Sequence, residues 1–436
     1  MTERSLGAWL GYLEALHPRE IDLGLERVAA VAQRLDLIPF PVPTITVAGT
    51  NGKGSVAHTA DALLASLGRC SGRYTSPHLT HFAERITVAG VPADDADIAA
   101  AFSAIEAARA DTSLSYFEFA TLAALHVMRL RGVDSAVLEV GLGGRLDAVN
   151  IVDAQVGVIT AIALDHQEWL GSTLEAIGAE KAGIARPDQP VVLAERSYPD
   201  SVAAALRERG ARPLLAGQDW DWQSGASGGT LTLHSAAGLR YGDLPVPSGL
   251  REANVAAALQ AVELLHGSLP PAAEVADTLR NLHVPGRRQR LTVADRELVL
   301  DVAHNPAAMQ SLANWLRRQP AAGQTYAALG LMADKDLPAM AATLAPAVSG
   351  AMAVALPAVA RAQSAERIWQ VLDSLGVAVS QSEFTVEAVW ANLLQRTRPG
   401  DRIVFCGSFH TVAGIMSALD YSAFSPVTDD NSWTVS

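Results

Sequence analysis

The sequence predicts an α/β protein of two domains, built on mostly parallel sheets with crossover helices. Short apolar runs alternate with longer helical patterns along the chain. Polar, glycine-rich clusters follow the apolar runs, the arrangement expected at the carboxyl ends of strands in open α/β sheets. The length, 436 residues, exceeds what one core usually organises.

The first strand is Thr44–Ala48, rich in β-branched residues. A glycine-rich turn follows, then a helical pattern over residues 55–67 with apolar Val56, Ala60, Leu63, Leu64 and Leu67. Strand, loop and helix in this order suit a phosphate-binding loop. Gly49, Gly52 and Gly54 let the backbone approach an anion. The helix N-terminus adds unpaired N–H groups and a positive dipole end, Lys53 a point charge, and Ser55 a hydroxyl suited to Mg²⁺. The spacing departs from the usual P-loop: Val47 stands where a glycine is expected, and Gly54 separates Lys53 from Ser55. The competing reading is a tight turn with a surface lysine.

Further strands are expected at residues 135–140, 156–162, 191–194, 298–302, 326–331 and 402–406, and helices at 117–130 and 254–266. In residues 219–247 aromatic and β-branched residues alternate with Gly and Ser clusters, which predicts a small antiparallel insertion. Pro285-Gly286 breaks the preceding helical pattern, giving domains 1–285 and 289–436 joined by a linker at 286–288. The polar tail from Ser425 is expected to fray.

Composition narrows the function. Thirty-three basic residues against 46 acidic ones give a net charge of −13, which argues against nucleic acid or an acidic membrane as a general partner. An anionic substrate must then be met by local positive groups. Two cysteines make no disulfide framework or zinc pattern. The N-terminal residues lack the apolar core of a signal peptide, and the longest uncharged stretch, 337–360, is interrupted by three prolines and a glycine. A cytoplasmic chain is expected.

Several strand ends carry candidate chemistry. Glu139 ends an apolar strand, where a carboxylate is costly unless it is paired or metal-bound. Mg²⁺ beside a phosphate loop is one explanation, and pairing with Arg145 another. Arg145 and Asp147 are also placed to bind a polar ring. His166, in Asp165-His166, reads either as a loop residue or as a ligand. Lys181 at a helix end is by default a solvated charge; buried, it would react with CO₂ to form a carbamate. Tyr116, Phe117 and Phe119 with Glu118 read as core, or as a wall for a flat heteroaromatic substrate. Asp301 and His304 end one later strand, and Gly407-Ser408 another.

Taken together and in order, these motifs resemble the Mur ligase superfamily of ATP-dependent amide ligases. More closely, they are similar to the folylpolyglutamate synthase family in its bacterial bifunctional dihydrofolate synthase/folylpolyglutamate synthase form. The resemblance rests on Gly49 through Ser55, Thr75-Ser76-Pro77-His78-Leu79, Leu138 through Asn150 and Leu164-Asp165-His166 with Leu170-Gly171. It continues through Glu180 to Ile184, Pro285-Gly286-Arg287, Asp301 through Pro306, Asp334-Lys335-Asp336 and Cys406 through Thr411. Within this family the inserted Gly54 is the normal form.

The resemblance implies an N-terminal P-loop-type ATP-binding domain, a smaller Rossmann-like C-terminal glutamate-ligase domain, and a site between them. It implies Gly52, Lys53, Gly54, Ser55, Asn254, Arg287 and Asp301 on ATP, and Ser76, Glu139 and His166 on Mg²⁺. Lys181 would be carbamylated. Tyr116, Phe117, Glu118 and Phe119 with Arg145, Leu146 and Asp147 would face the pterin, and His304 and Ser408 the incoming L-glutamate. Lys53, Lys181 and His304 would be the catalytic residues. Arg288, directly after Arg287, leaves open which of the two touches ATP. The implied activity is a monomeric enzyme of folate biosynthesis and one-carbon metabolism, joining L-glutamate to dihydropteroate or folates through an acyl phosphate. The alternatives are a monofunctional folylpolyglutamate synthase and a non-catalytic nucleotide-binding protein.

Overall fold

Two helices, α1 (Leu6–Leu16) and α2 (Glu26–Arg34), precede the first strand. They bury Leu6, Trp9 and Leu13, and Val28, Val31 and Ala32, at the three-to-four-residue spacing of one helical face. The computed structural model describes residues 4–16, 22–226, 229–319, 321–380, 382–419, 424–426 and 432–435. The chain divides into two compact units, Met1–Leu282 and His283–Ser436.

The first unit continues with β1 (Thr44–Ala48), α3 (Lys53–Ser66), β2 (Ser71–Tyr74), β3 (Ile86–Val88), β4 (Val91–Pro92), α4 (Asp95–Arg109), α5 (Tyr116–Leu130), β5 (Ser135–Glu139) and β6 (Val156–Ile159). Next come α6 (Gln167–Leu170), α7 (Leu174–Ala182), β7 (Pro190–Leu193), α8 (Asp200–Glu208) and β8 (Arg212–Leu215). The strands form one eight-stranded sheet in the order β4-β3-β2-β5-β1-β6-β7-β8. From β2 to β8 all neighbours are parallel, and β3 and β4 add an antiparallel edge. Every residue of β1 and β5 is buried, as expected for parallel strands covered on both faces. The largest core lies among α1, α2, α4, α5 and the β2–β5 side of the sheet. A second core packs α7 and α8 against β6 and β7.

The expected antiparallel insertion is β9 (Asp221–Ser224), β10 (Thr230–His234) and β11 (Arg240–Pro245). It is followed by α9 (Glu252–His266) and α10 (Ala272–Arg280). The Ala236 N–H donates to Gln260 Oε1 at 2.8 Å, tying the β10–β11 turn to α9, and α9 packs along α3.

The second unit contains β12 (Gln289–Val293), β13 (Arg296–Asp301), α11 (Pro306–Arg318), β14 (Thr325–Leu329), α12 (Leu337–Leu344), β15 (Gly350–Ala353), α13 (Ala365–Ser374), α14 (Val386–Arg396), β16 (Arg402–Cys406) and α15 (Phe409–Ala418). Two short strands, β17 (Phe424–Pro426) and β18 (Ser432–Val435), complete a mixed sheet of order β15-β14-β16-β13-β12-β18-β17. The β15-β14-β16-β13 run is parallel. Residues 286–288 are bonded onto this unit: Val302 N–H donates to Gly286 O at 3.0 Å, and Arg288 N–H to Asp301 Oδ2 at 3.0 Å. The tail from Ser425 was expected to fray, yet β18 pairs in parallel with β12 and satisfies its open hydrogen-bonding edge. The rest of that tail lies outside the described residues. No helix among the described residues is long and apolar enough to cross a membrane.

Candidate active site

The loop after β1 is held by β6 and α9. Gly49 has φ +145°, and a Cβ there would lie 1.8 Å from Thr160 Oγ1. Gly52 has φ +102°, and a Cβ there would lie 2.6 Å from Asn254 Nδ2. Both positions therefore demand glycine for conformation and for space. The Thr50 N–H donates to Ala161 O at 2.8 Å, and its Oγ1 accepts from Ala163 N–H at 3.1 Å. Lys53 Nζ reaches back over the loop to Gly49 O (3.0 Å) and Thr50 O (3.3 Å). Gly54 and Ser55 lie buried in the first turn of α3. Asn254 is buried against the loop, and its Oδ1 has no hydrogen-bond partner.

Beside this loop, Glu139 ends β5 with 4% exposure, and its Oε2 accepts the Ser76 N–H at 3.2 Å. Arg145 is not its partner: the guanidinium pairs with Glu180 Oε1 at 2.7 Å. His166 is exposed, with φ +50°, at the start of α6. Among the described residues no group of three His, Cys, Asp or Glu side chains gathers to hold a metal. One buried carboxylate with a hydroxyl residue beside it fits a hard cation that completes its shell with phosphate oxygens and water, as Mg²⁺ does.

Lys181, in the last turn of α7, is buried rather than solvated. Burial pushes its ammonium down to about 7, and the positive charge of Lys53 adds to the effect. Asp165, Asp147 and Glu180 oppose it. Lys53 and Lys181 thus feel each other's charge. The Asp147 carboxylate accepts from the backbone of its own loop. Oδ2 accepts from Leu142 N–H (2.8 Å) and Oδ1 from Val149 N–H (3.0 Å), while burial pushes the carboxyl up to about 6. Asp147 shapes its own loop, whereas Arg145 and Leu146 line a cavity of about 530 Å³ together with Leu25, Asn150 and Arg186.

The aromatic segment divides in two. Tyr116 and Phe117 are part-exposed, with the Phe117 ring 6.0 Å from that of Tyr74. Glu118 and Phe119 are buried. Glu118 Oε2 accepts the Ser115 N–H in the capping box of α5, and its Oε1 takes Arg27 at 3.0 Å. Phe119 is fully buried, its ring 6.2 Å from that of Phe102. Helical spacing brings only one side of this turn to solvent. Phe119→Leu is therefore expected to cost about 1 kcal/mol of stability in urea titration.

In the second unit, the candidates cluster at the carboxyl ends of β13 and β16. His304 Nδ1 lies 2.9 Å from Val302 O, and its ring is 6.1 Å from Phe409. The Arg287 guanidinium lies 5.3 Å from the centre of the same Phe409 ring. Arg288 turns instead to Ser311 (2.5 Å) and the Trp315 face (6.0 Å). Asp301 accepts from the Arg288 and Ala303 N–H groups at 3.0 and 2.8 Å. Burial raises its carboxyl, against the pull of Arg288 and Arg287. Ser408 is buried and caps α15, its Oγ accepting the Thr411 N–H at 3.1 Å.

Residues 47–219 match the Mur ligase middle domain, and residues 286–409 the Mur ligase glutamate ligase domain. The dihydrofolate synthase/folylpolyglutamate synthase of Escherichia coli is 39% identical over 423 residues, 95% of this chain and 96% of the relative. This chain belongs to the dihydrofolate synthase/folylpolyglutamate synthase family of Mur ligases. Among its relatives, the Lacticaseibacillus casei folylpolyglutamate synthase is 35% identical over 73% of this chain and 78% of that protein. A structure of Escherichia coli FolC in complex with DHPP and ADP superposes with a TM-score of 0.90 at 38% identity, covering 96% of this chain and 98% of that one. A bifunctional family member with Mn, AMPPNP and L-glutamate bound gives a TM-score of 0.87 at 39% identity, with the same coverage.

Proposed function

We propose that this chain is an ATP-dependent ligase that joins L-glutamate to 7,8-dihydropteroate, forming dihydrofolate, and to reduced folates, forming folylpolyglutamates. The carrying observation is the buried Lys181, with its depressed pKa, within electrostatic reach of the phosphate-loop Lys53. A protein that only binds nucleotide has no need of a second, poised lysine there.

A carboxylate is a poor electrophile, so the acceptor's carboxylate first takes the γ-phosphoryl group of ATP, becoming an acyl phosphate. Lys53 and the N–H groups of Gly52, Gly54 and Ser55 hold the phosphates and stabilise charge on the transferring group. Ser76, Glu139 and His166 would hold Mg²⁺, which would supply further neutralisation of that charge. The neutral Lys181 amine takes up CO₂ and loses a proton, turning a cation into a carbamate able to act as an oxygen ligand. Asn254, Arg287 and Asp301 hold ATP. Tyr116, Phe117, Glu118 and Phe119, with Arg145, Leu146 and Asp147, meet the pterin. His304 and Ser408 hold L-glutamate, whose amine attacks the acyl phosphate. A tetrahedral intermediate forms, and phosphate departs. Positioning both substrates supplies much of the rate. We assign this activity to a cytoplasmic monomer acting on small molecules; sedimentation velocity at assay concentration checks the monomer.

The test is incorporation of labelled L-glutamate by the purified chain with ATP and Mg²⁺. Both dihydropteroate and tetrahydrofolate are expected to accept it, with one ADP and one phosphate released per bond. Incorporation into folates alone would leave the monofunctional reading. Incorporation into neither acceptor overturns the ligase.

A further inference from the structure

Asp61 is a charged residue on the buried face of α3, in line with Ala57 and Leu64. Its Oδ1 accepts from the Ser71 hydroxyl, and its Oδ2 from Arg73 Nη1 at 2.9 Å. The two charged side chains are 3% and 12% exposed. Burying such a pair takes desolvation that the attraction barely repays, so stability alone does not account for it. Arg73 Nε is buried as well and has no hydrogen-bond partner.

The sheet register shows where this charge acts. Arg73 on β2 stands beside Val137 on β5, so its side chain shares the sheet face of Val137 and, two residues on, Glu139. The negative charges of Asp61 and Glu139 both act on the guanidinium, Asp61 the more strongly. A cation, anchored by a helix that starts at the phosphate loop, therefore lies on the same sheet face as the buried carboxylate at the end of β5.

We infer that Arg73, anchored by Asp61 and Ser71, holds a fixed positive charge on the Glu139 side of the sheet that sets how strongly the site binds a divalent cation. The inference rests on the proposed metal role of Glu139. A fixed positive charge beside a cation site weakens binding there, and Asp61 offsets part of that effect. Removing one member of the pair therefore shifts cation affinity in the opposite direction from removing the other. A pair that served packing alone would not do this.

Mn²⁺ titrated into the full chain with saturating AMPPNP, with free Mn²⁺ counted by electron paramagnetic resonance, tests the sign. Arg73→Met is expected to tighten Mn²⁺ by about tenfold, and Asp61→Asn to weaken it by a similar factor. The double variant, in which charge is conserved, should return to within about threefold of the unaltered chain. Arg73→Lys should stay close to it as well. If Arg73→Met does not fold, restoration of the Asp61→Asn defect in the double variant carries the test. Shifts of the same sign in both single variants, no shift in either, or a double variant no better than Asp61→Asn overturn the inference. An unaltered chain that binds no Mn²⁺ overturns both this and the metal role of Glu139. Failed glutamate incorporation alone overturns the ligase reading and leaves the role of the Arg73 charge standing.

Discussion

Replacing Lys181 by alanine is expected to lower turnover by roughly a hundred- to a thousandfold, the range seen when a preorganised electrostatic group is removed. Acetate or another small carboxylate should restore part of the rate. The lysine is buried in the last turn of α7, where a permanent ammonium would be unfavourable, and burial with the nearby Lys53 brings its pKa to about 7. At neutral pH a large share of the side chain is then a free amine, the form that reacts with CO₂. A small carboxylate entering the space left by Lys181→Ala offers the oxygen ligands of the carbamate without the covalent link. An unchanged rate in Lys181→Ala would remove the carbamate from the mechanism.

The same shift makes a stability prediction with a definite sign. In CO₂-free, metal-free buffer the folded pKa is about 7, whereas the unfolded lysine titrates at about 10.4. Between these values the unfolded chain binds more protons than the folded one, so stability rises with pH across that window. Below the folded pKa the penalty of burying the charge is fully present. Lys181→Met should therefore raise Tm more at pH 6 than at pH 9.5. A Tm gain independent of pH would show that the amine is not buried in the folded state.

The residues from Gly49 to Ser55 are legible in sequence because their conformation is local: strand, turn and helix follow within one short segment, and glycines stand where the backbone needs them. The strands are legible for a similar reason, since a buried parallel strand is an apolar run. Carboxylate roles are not local. Glu118 and Asp147 accept capping bonds from backbone N–H groups, and the Arg27 pair of Glu118 joins segments that the sequence alone does not bring together. The Ser115–Glu118 spacing was itself a capping-box signal available in the sequence. Burial of Lys181 depends on the packing of α7 against α8 and the core, which periodicity along α7 alone does not show. The link from Asp61 to Arg73 and Glu139 requires β2 to lie beside β5, neighbours that are far apart along the chain. Its one sequence trace is an aspartate on the apolar face of α3.

Gly52→Ala should reduce kcat/KM for ATP by about a hundredfold, the cost of misplacing reacting groups by about 1 Å. Two separate effects act at this residue. Its φ of +102° lies in a region that L-residues with a side chain rarely adopt, and an added Cβ would sit 2.6 Å from Asn254 Nδ2 and 2.7 Å from Oδ1. Asn254 has little room to withdraw, since it is 3% exposed on α9, which packs along α3. The loop must lift instead, carrying with it the N–H groups that are to meet the phosphates. Calorimetric titration with ADP should show weakened binding, while far-ultraviolet circular dichroism keeps the unaltered spectrum. The pair Gly52→Ala/Asn254→Gly separates the causes. It removes the collision but leaves the dihedral strain, so only part of the ADP affinity should return relative to Asn254→Gly alone. Full return would assign the whole effect to the collision, and no return would assign it to the backbone. Unchanged ADP binding in Gly52→Ala itself would mean that this loop does not hold the nucleotide.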